Sequence, residues 1–388
     1  MFKGKTVLVQ MQSLIFGYDF KKTVDEHSGD KGMRVLSTKN LLSVMLYVHM
    51  ATKQSLRDII YSLESKVNLW YHLGLRSLSR NNLSHALKNR SARIFEKTFY
   101  LLLARLKNER GMLQDKRFRF KNPVKSIDST TISLCLSLFD WAKFRTTKGG
   151  IKLHIMYNNR EQIPEFITMS NAAKHDITAA DSFTISPHSV YVLDKGYICF
   201  NFFQKIAKMG AFFITRTKSN TKYRIITRQL KTQKGITADW IVKFSSYKSI
   251  DYPEKIRVIR YHDTETNKTY EFMTNNFHLS AMTIADIYKS RWDIELFFKW
   301  IKQNLKIKTF IGTSENAVMI QIWSAMIAYL LTEYLRFKSR TSFSILKTFR
   351  ILSENILFST DLYSLLMKQS FPDKHLVDLG DFQLSWEF

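Results

Sequence analysis

The run VKSIDSTTISL, Val124 to Leu134, reads as a strand carrying a carboxylate, Asp128, in its first half. Downstream, SVYVLD (Ser189 to Asp194) is a short apolar run that closes on a second carboxylate immediately before Lys195 and Gly196. Around them lie KGGIKLHIMYN (148–158), EFITMSN (165–171) and AFFITRT (211–217), with the helical FNFFQKIAKMG (200–210) separating the later strands. A strand meander followed by crossovers predicts a mixed α/β sheet. In an open sheet of this kind, groups at strand ends line the crevice where ligands bind, which makes Asp128 and Asp194 candidate site residues. An Asp before Gly is also a frequent turn residue, and that alone would account for Asp194. Its surroundings weaken the turn reading. Between Asp181 and Asp239 it is the only acidic residue, in a tract that includes Lys195, Lys205, Lys208, Arg216 and Lys218.

Residues 1–120 have helical texture, with apolar residues three and four apart in TKNLLSVMLYVHMAT (38–52) and SLRDIIYSLES (55–65). There LGLRSLSRNNLSHALKNR (73–90) places a Gly74 turn and a Ser79 cap before a helix bearing Arg80, Asn82, His85, Lys88 and Arg90. That is the outline of a helix-turn-helix reader, and equally that of a solvated helix face. After the first sheet segment, residues 219–280 are β-rich again (KYRIITRQ, WIVKFSS, KIRVIRY, KTYEFMTNN) without intervening helices, which suggests an inserted β subdomain. A long helix is expected from about Thr283 to Leu305, and the tail beyond Gly312 is helical. The expected division is 1–120, 121–218, 219–280, 281–335 and 336–388. The most apolar stretch, AVMIQIWSAMIAYLLTEYL from Ala317, is interrupted by Gln321 and ends in Glu333 and Arg336, so it reads as a buried core helix rather than a membrane span.

The 388 residues carry 59 Lys plus Arg against 33 Asp plus Glu, a formal net charge of +26. Self-repulsion of that size calls for a polyanionic partner, nucleic acid ahead of anionic lipid. A hydrophobic fraction of 45% excludes a disordered polymer. Two cysteines, Cys135 and Cys199, without paired spacing exclude a disulfide framework and a thiolate zinc site. The expected compartment is a reducing cytoplasm, since no apolar leader with a cleavage site opens the chain. Phosphate-binding glycine motifs, a His-Glu-x-x-His zinc signature and a serine nucleophile elbow are all missing from the sequence.

In IYKSRWDIELFFKWIKQNLK, from Ile287, advancing about 100° per residue puts Tyr288, Arg291, Glu295 and Lys302 within about 60° of one another. Trp292, Ile294, Leu296, Phe297, Trp300 and Ile301 fall on the opposite arc. A plain surface helix with an Arg291–Glu295 pair would look the same. The aromatic arc favours docking on the sheet, which would aim the polar stripe at Asp128 and Asp194. Three converging carboxylates repel one another unless cations intervene. Two Mg²⁺ ions held by Asp128, Asp194 and Glu295 would remove the conflict and suit in-line displacement at phosphorus.

The spacing Tyr288, two residues, Arg291, three residues, Glu295, six residues, Lys302 resembles the Tyr-Arg-Glu-Lys signature of DDE transposases of bacterial insertion sequences, in the IS-four-like branch. IDST at Asp128, VLDKGY at Asp194, FFITRTK at Arg216 and RWDIELFFKWIK around Glu295 are similar to that family's blocks, in the same order. The resemblance covers residues 121–335, and the helical amino-terminal region more loosely. It implies an RNase H-like catalytic core, a mixed sheet flanked by helices, with a β-rich insertion, a helical amino-terminal DNA-binding region and a helical carboxy-terminal tail. Asp128, Asp194 and Glu295 become the catalytic triad for two Mg²⁺ ions, with Mn²⁺ able to substitute. Tyr288, Arg291 and Lys302 become phosphate contacts at the transposon end, and Arg216 and Lys218 further DNA contacts. Some relatives carry a longer block of acidic and basic residues where this chain reads DKGY, so no role carries over from that block. Trp240 is a candidate to stack on a flipped base, although a core tryptophan is the plainer reading. The expected function is cut-and-paste transposition on double-stranded DNA by a homodimer in the synaptic complex, in the bacterial cytoplasm at the nucleoid, with no membrane partner. Two rival readings are an RNase H-like nuclease or resolvase without strand transfer, and a DNA-binding regulator derived from a transposase.

Overall fold

Serines set the helix starts. The hydroxyls of Ser37, Ser55 and Ser79 each accept a backbone N–H three residues on, from Asn40, Asp58 and Asn82. Each bond satisfies one of the donors that a helix start leaves unpaired. The computed structural model describes residues 4–110, 120–145, 148–173, 176–229, 234–246, 250–305, 307 and 310–367. Helices α1 (Val7–Ser13), α2 (Tyr18–Glu26), α3 (Thr38–Met50), α4 (Leu56–Glu64), α5 (Trp70–Leu73), α6 (Arg80–Asn89) and α7 (Ala92–Arg110) precede the first strand.

The strands are β1 (Val124–Leu134), β2 (Lys143–Arg145), β3 (Lys148–Asn158), β4 (Ile163–Asn171), β5 (Val190–Leu193), β6 (Phe212–Arg216), β7 (Tyr223–Arg228), β8 (Ile236–Phe244), β9 (Ile256–Asp263) and β10 (Lys268–Thr274). They form one ten-stranded sheet in the order β2-β3-β1-β5-β6-β10-β9-β8-β7, with β4 also paired to β3. The meander is antiparallel, Asp128 lying opposite Ile155, whereas β1 runs parallel to β5 with Ile127 opposite Leu193. Helices α8 (Asp176–Ala180) and α9 (Phe200–Lys208) fall between β4 and β6, α9 making the crossover that keeps β5 and β6 parallel. The β-rich segment expected as an insertion extends this same sheet, because β10 pairs antiparallel with β6.

The long helix expected from Thr283 to Leu305 is divided into α10 (Ala281–Lys289) and α11 (Trp292–Asn304). Two hydrogen bonds explain the break. Ser290 Oγ donates to the Ile287 carbonyl at 2.6 Å, and Asn159 Nδ2 takes the Ser290 carbonyl at 2.6 Å. Those are the acceptors that the Arg291 and Ile294 N–H groups would use in a regular α-helix. Both groups bond instead to the carbonyl three residues back, Tyr288 and Arg291. Asn159 also accepts from the Ser126 N–H and hydroxyl, both at 2.9 Å, and so ties this junction to β1.

Helix α9 covers one sheet face through Phe202, Phe203 and Ile206, and α10 covers the other through Ile284, Ala285 and Ile287. The helices before β1 and after α11 share a further core. At its centre is α12 (Glu315–Lys338), buried without interruption from Ile320 to Leu335 against α3 and α7. This helix is long and apolar enough to cross a membrane, but nearly all of it is enclosed by protein, as expected of a core helix apolar on every side. Helices α13 (Ile345–Glu354) and α14 (Leu362–Met367) complete the bundle, and the Leu362 N–H donates to Gln10 of α1 at 2.9 Å.

Candidate active site

Strand β5 stops at Leu193 while β1 runs on, so beyond the Ile127–Leu193 pair the edge of β1 is open. Asp128 and Asp194 stand side by side at that opening. Each is oriented by a neighbouring backbone donor. The Ser129 N–H donates to Asp128 Oδ1 at 2.7 Å, and the Gly196 N–H donates to Asp194 Oδ2 at 3.1 Å, the latter capping the turn after β5.

The third carboxylate arrives on α11, whose Ile294, Phe297, Phe298 and Ile301 are buried, Phe297 packing on Tyr157 and Tyr329. The apolar arc is narrower than the sequence suggests. Trp292 and Leu296 are 57% and 50% exposed, because among the described residues no element covers that quarter of the helix, while Phe298 joins the buried face. The polar stripe does reach the sheet. Arg291 Nη1 lies 3.0 Å from Asp128 Oδ2, and Nη2 lies 2.5 Å from Glu295 Oε1, so one guanidinium bridges two of the three carboxylates.

Burial pushes the Asp128 carboxyl up to about 7. The Ser129 N–H and Arg291 pull it down, and the fields of Asp194 and Glu295 push it further up. Three carboxylates thus face one guanidinium, Arg291, which pairs with two of them. Among the described residues no three His, Cys, Asp or Glu side chains converge closely enough to hold a metal ion; Arg291 occupies the space between Asp128 and Glu295. The donor chemistry, three carboxylates and no thiolate or imidazole, fits a hard divalent cation.

Tyr288 packs on Phe272, with ring centroids 4.9 Å apart, and carries the Arg291 guanidinium 5.8 Å above its ring. Arg216, at the end of β6, lies over Tyr270 at 4.8 Å. Arg216, Tyr288 and Arg291 line one cleft of about 590 Å³ that also contains Asp263, Glu265 and Asp286, and Arg291 links it to Asp128 and Glu295. Three distant segments, β1, β5 and α11, thus deliver their acids to one opening in a mixed sheet. A family model described as "Transposase DDE domain" matches residues 119–331, which contain all three.

The chain belongs to the DDE transposase family.

As a DDE transposase it is an enzyme acting on DNA, in a family that generally uses divalent metals. Residues 3–76 match a second model, described only as a domain of unknown function (DUF4372). Among its relatives, a protein of Sinorhizobium fredii named as the transposase y4zB is 32% identical over 270 residues, covering 68% of this chain and 74% of the relative. One named as the transposase of insertion sequence element IS5377 of Geobacillus stearothermophilus is 30% identical over 223 residues, 57% of this chain and 58% of the relative. A third, named for insertion sequence element IS4SA of Synechocystis, is 28% identical over 284 residues, 69% and 75% of the two chains. In fold the transposase is similar to the piggyBac transposase solved by cryo-EM as a synaptic complex with hairpin DNA. That likeness has a TM-score of 0.51 at 8% identity and covers 96% of this chain and 84% of the other. The mixed sheet flanked by helices is consistent with the expected RNase H-like core.

The remaining candidate residues divide by their surroundings. Lys302 is half-buried two turns beyond Glu295 on α11, and Lys218 is exposed in the loop after β6. Arg80 and Lys88 are exposed on α6. Arg90 corrects the expectation: its guanidinium donates to the Gly29 carbonyl and, at 2.7 Å, to the Leu36 carbonyl, so its donors brace the loop before α3 instead of facing a groove. Trp240 is partly buried, in line with the plainer core reading. It packs on the core around Phe203 and Val258, and the Arg260 guanidinium covers its ring at 5.0 Å.

Sequence reasoning missed Asn159 and Asp176. Asn159 sits in the turn after β3 and links β1 to the α10–α11 junction. Asp176 lies at the start of α8, with its Oδ1 2.6 Å from Ser129 Oγ and 3.1 Å from Lys152 Nζ. Nothing in the spacing of an Asp within KHDIT distinguishes it from a solvated loop residue.

Proposed function

We propose that the chain is a cut-and-paste transposase that binds the terminal inverted repeats of an insertion sequence, exposes 3′-hydroxyls and joins them to target DNA. It would do so as a homodimer in the synaptic complex, on chromosomal DNA in the cytoplasm. The observation that supports this reading is the joining of Asp128 on β1 and Glu295 on α11 through the Arg291 guanidinium, with Asp194 ending the neighbouring strand beside Asp128.

Asp128, Asp194 and Glu295 would hold two Mg²⁺ ions, or Mn²⁺ in their place. When bound, the ions activate a water or a 3′-hydroxyl and stabilise the leaving oxygen of an in-line displacement. The Ser129 and Gly196 N–H groups keep Asp128 and Asp194 aimed, and burial raises the Asp128 carboxyl, so a bound cation would favour its ionised form. Arg291 exchanges its carboxylate partners for a DNA phosphate, a charge-assisted contact of the same geometry. Tyr288 and Lys302 flank the same strand, Arg216 and Lys218 continue the contact past β6, and Arg80 and Lys88 engage the duplex further out. The Tyr-Arg-Glu-Lys spacing supports placing the chain in the IS-four-like branch.

The test is direct. Asp128→Asn, Asp194→Asn and Glu295→Gln keep size and lose charge, so each abolishes cleavage of end-containing DNA and subsequent strand transfer while leaving end binding within about twofold. Wild-type cleavage in Mg²⁺ by any of the three removes that residue from the triad. Cleavage without joining by the unsubstituted chain would make it a nuclease.

A further inference from the structure

The donors that orient Asp128 and Asp194 meet at one further side chain. Ser129, whose N–H holds Asp128, donates its hydroxyl to Asp176 Oδ1 at 2.6 Å. Gly196, whose N–H holds Asp194, lies directly against the other oxygen of the same carboxylate, so that a Cβ on residue 196 would come within 2.9 Å of Asp176 Oδ2.

Asp176 is not free to yield. Lys152 Nζ is 3.1 Å from its Oδ1, and His154 Nδ1 is 3.5 Å away. The His154 imidazole is wholly buried and fixed at both nitrogens, by the Tyr197 hydroxyl at 3.1 Å and Ser170 Oγ at 2.9 Å. Tyr197 follows Gly196 in the chain. One carboxylate on α8 is thus locked between β1, β3 and the turn after β5, the three segments that shape the opening of the sheet.

We propose that Asp176 is a positioning residue for the transposase reaction: by fixing Ser129 and Gly196 it sets the two backbone donors that aim Asp128 and Asp194 at their cations. The inference rests on the triad reading above. It also accounts for Gly196, where any side chain would displace the Asp176 carboxylate, and for Asp rather than Glu at 176, because an extra methylene would press on the same turn. Groups that orient metal-binding side chains typically change metal affinity or activity by about 10- to 100-fold when removed.

The full-length chain is compared with Asp176→Asn, Ser129→Ala, Gly196→Ala and Asp128→Asn by Mn²⁺ binding (electron paramagnetic resonance), Mg²⁺-dependent single-turnover nicking, end binding and thermal unfolding. Asp176→Asn is expected to fold and bind ends like the unsubstituted chain, to bind Mn²⁺ about 10- to 100-fold more weakly, and to regain nicking as Mg²⁺ is raised. Gly196→Ala shifts the Mg²⁺ requirement the same way and Ser129→Ala does so less, and these two carry the test if Asp176→Asn does not fold. Unchanged Mn²⁺ affinity in Asp176→Asn overturns the proposal, whether its nicking rate is normal or reduced at every Mg²⁺ concentration. Asp128→Asn separates the two levels of argument. If it still binds Mn²⁺ normally, the triad reading has failed; if it loses Mn²⁺ while Asp176→Asn does not, only the positioning role has failed.

Discussion

At Asp128 the fold keeps a carboxyl that burial holds at about 7, against roughly 3.9 for an unperturbed aspartate. The folded chain therefore binds this proton more tightly than the unfolded chain does. Its favourable contribution is complete below about pH 4, fades as pH rises towards 7, and above that the ionised group costs stability. The side chain is only 15% exposed, so solvent screens little of the effect. Asp128→Asn removes the ionisation, and in metal-free buffer the variant should be the more stable above pH 7, by up to about 4 kcal/mol. The gap should close towards pH 4. Added Mg²⁺ should raise the unfolding midpoint of the unsubstituted chain and not that of the variant, because only the former gains a bound ion. Thermal unfolding from pH 4 to 9 measures all three effects, and a gap that does not change with pH would mean that Asp128 is not strained by its surroundings.

Helix α11 has two faces with separate duties, and substitutions on each should part company. Phe297 is buried against Tyr157 and Tyr329, and Phe297→Ala should cost about 3–5 kcal/mol of stability. Lys302 is only half-buried. Lys302→Ala should cost much less stability than Phe297→Ala, while losing a charge-assisted phosphate contact removes roughly 1.5–3 kcal/mol from reaction on transposon ends. Arg291→Ala should also slow the reaction, but it frees Asp128 and Glu295 from their shared partner, so a Mg²⁺ titration must accompany it. Unfolding curves and single-turnover cleavage decide the matter; if Lys302→Ala and Arg291→Ala cut ends like the parent, the polar stripe makes no contact with DNA. The contrast also marks what the sequence reveals of this element. Period-3.6 spacing exposes the polar stripe of Arg291 and Glu295, and alternation with a terminal carboxylate exposes β1 and β5. The break at Ser290 stays hidden because it depends on Asn159, far away in the chain, taking a carbonyl. For the same reason Asp176 carries no local signal, and Trp292 and Leu296 look like core until the neighbours that would have covered them prove to be elsewhere. Arg90 and Arg80 likewise read as equivalent cations in sequence, and only the path of the loop before α3 separates them.

Across the whole molecule, a net charge of +26 is not spent internally. Some cations are, such as Arg110 against Glu333, Arg257 against Asp239, and Lys125 and Lys107 against Glu165. Others stand exposed on separate elements: Arg80 and Lys88 on α6, Lys218 after β6, Arg224 and Arg228 on the edge strand β7. Lysines and arginines on a sheet edge also deter edge-to-edge aggregation, so exposure alone does not assign them to DNA. Salt dependence separates the two roles, because each phosphate neutralised releases condensed counterions and adds about 0.9 to the slope of log affinity against log salt. For a chain making roughly six to ten phosphate contacts, affinity for duplex transposon ends should fall about 10³- to 10⁵-fold between 50 and 200 mM salt. Lys88→Ala and Lys218→Ala should each flatten that slope by about one contact's worth and weaken binding to unrelated duplexes to the same degree. Arg110→Ala should lower stability and leave the slope alone, since its partner is a buried carboxylate. Fluorescence anisotropy over a salt series measures each slope. A salt-independent affinity in the unsubstituted chain would remove nucleic acid as the explanation of the charge. A slope unmoved by Lys88→Ala and Lys218→Ala would instead shift the DNA path off α6 and the β6 loop and onto the cleft between Arg216 and Arg291.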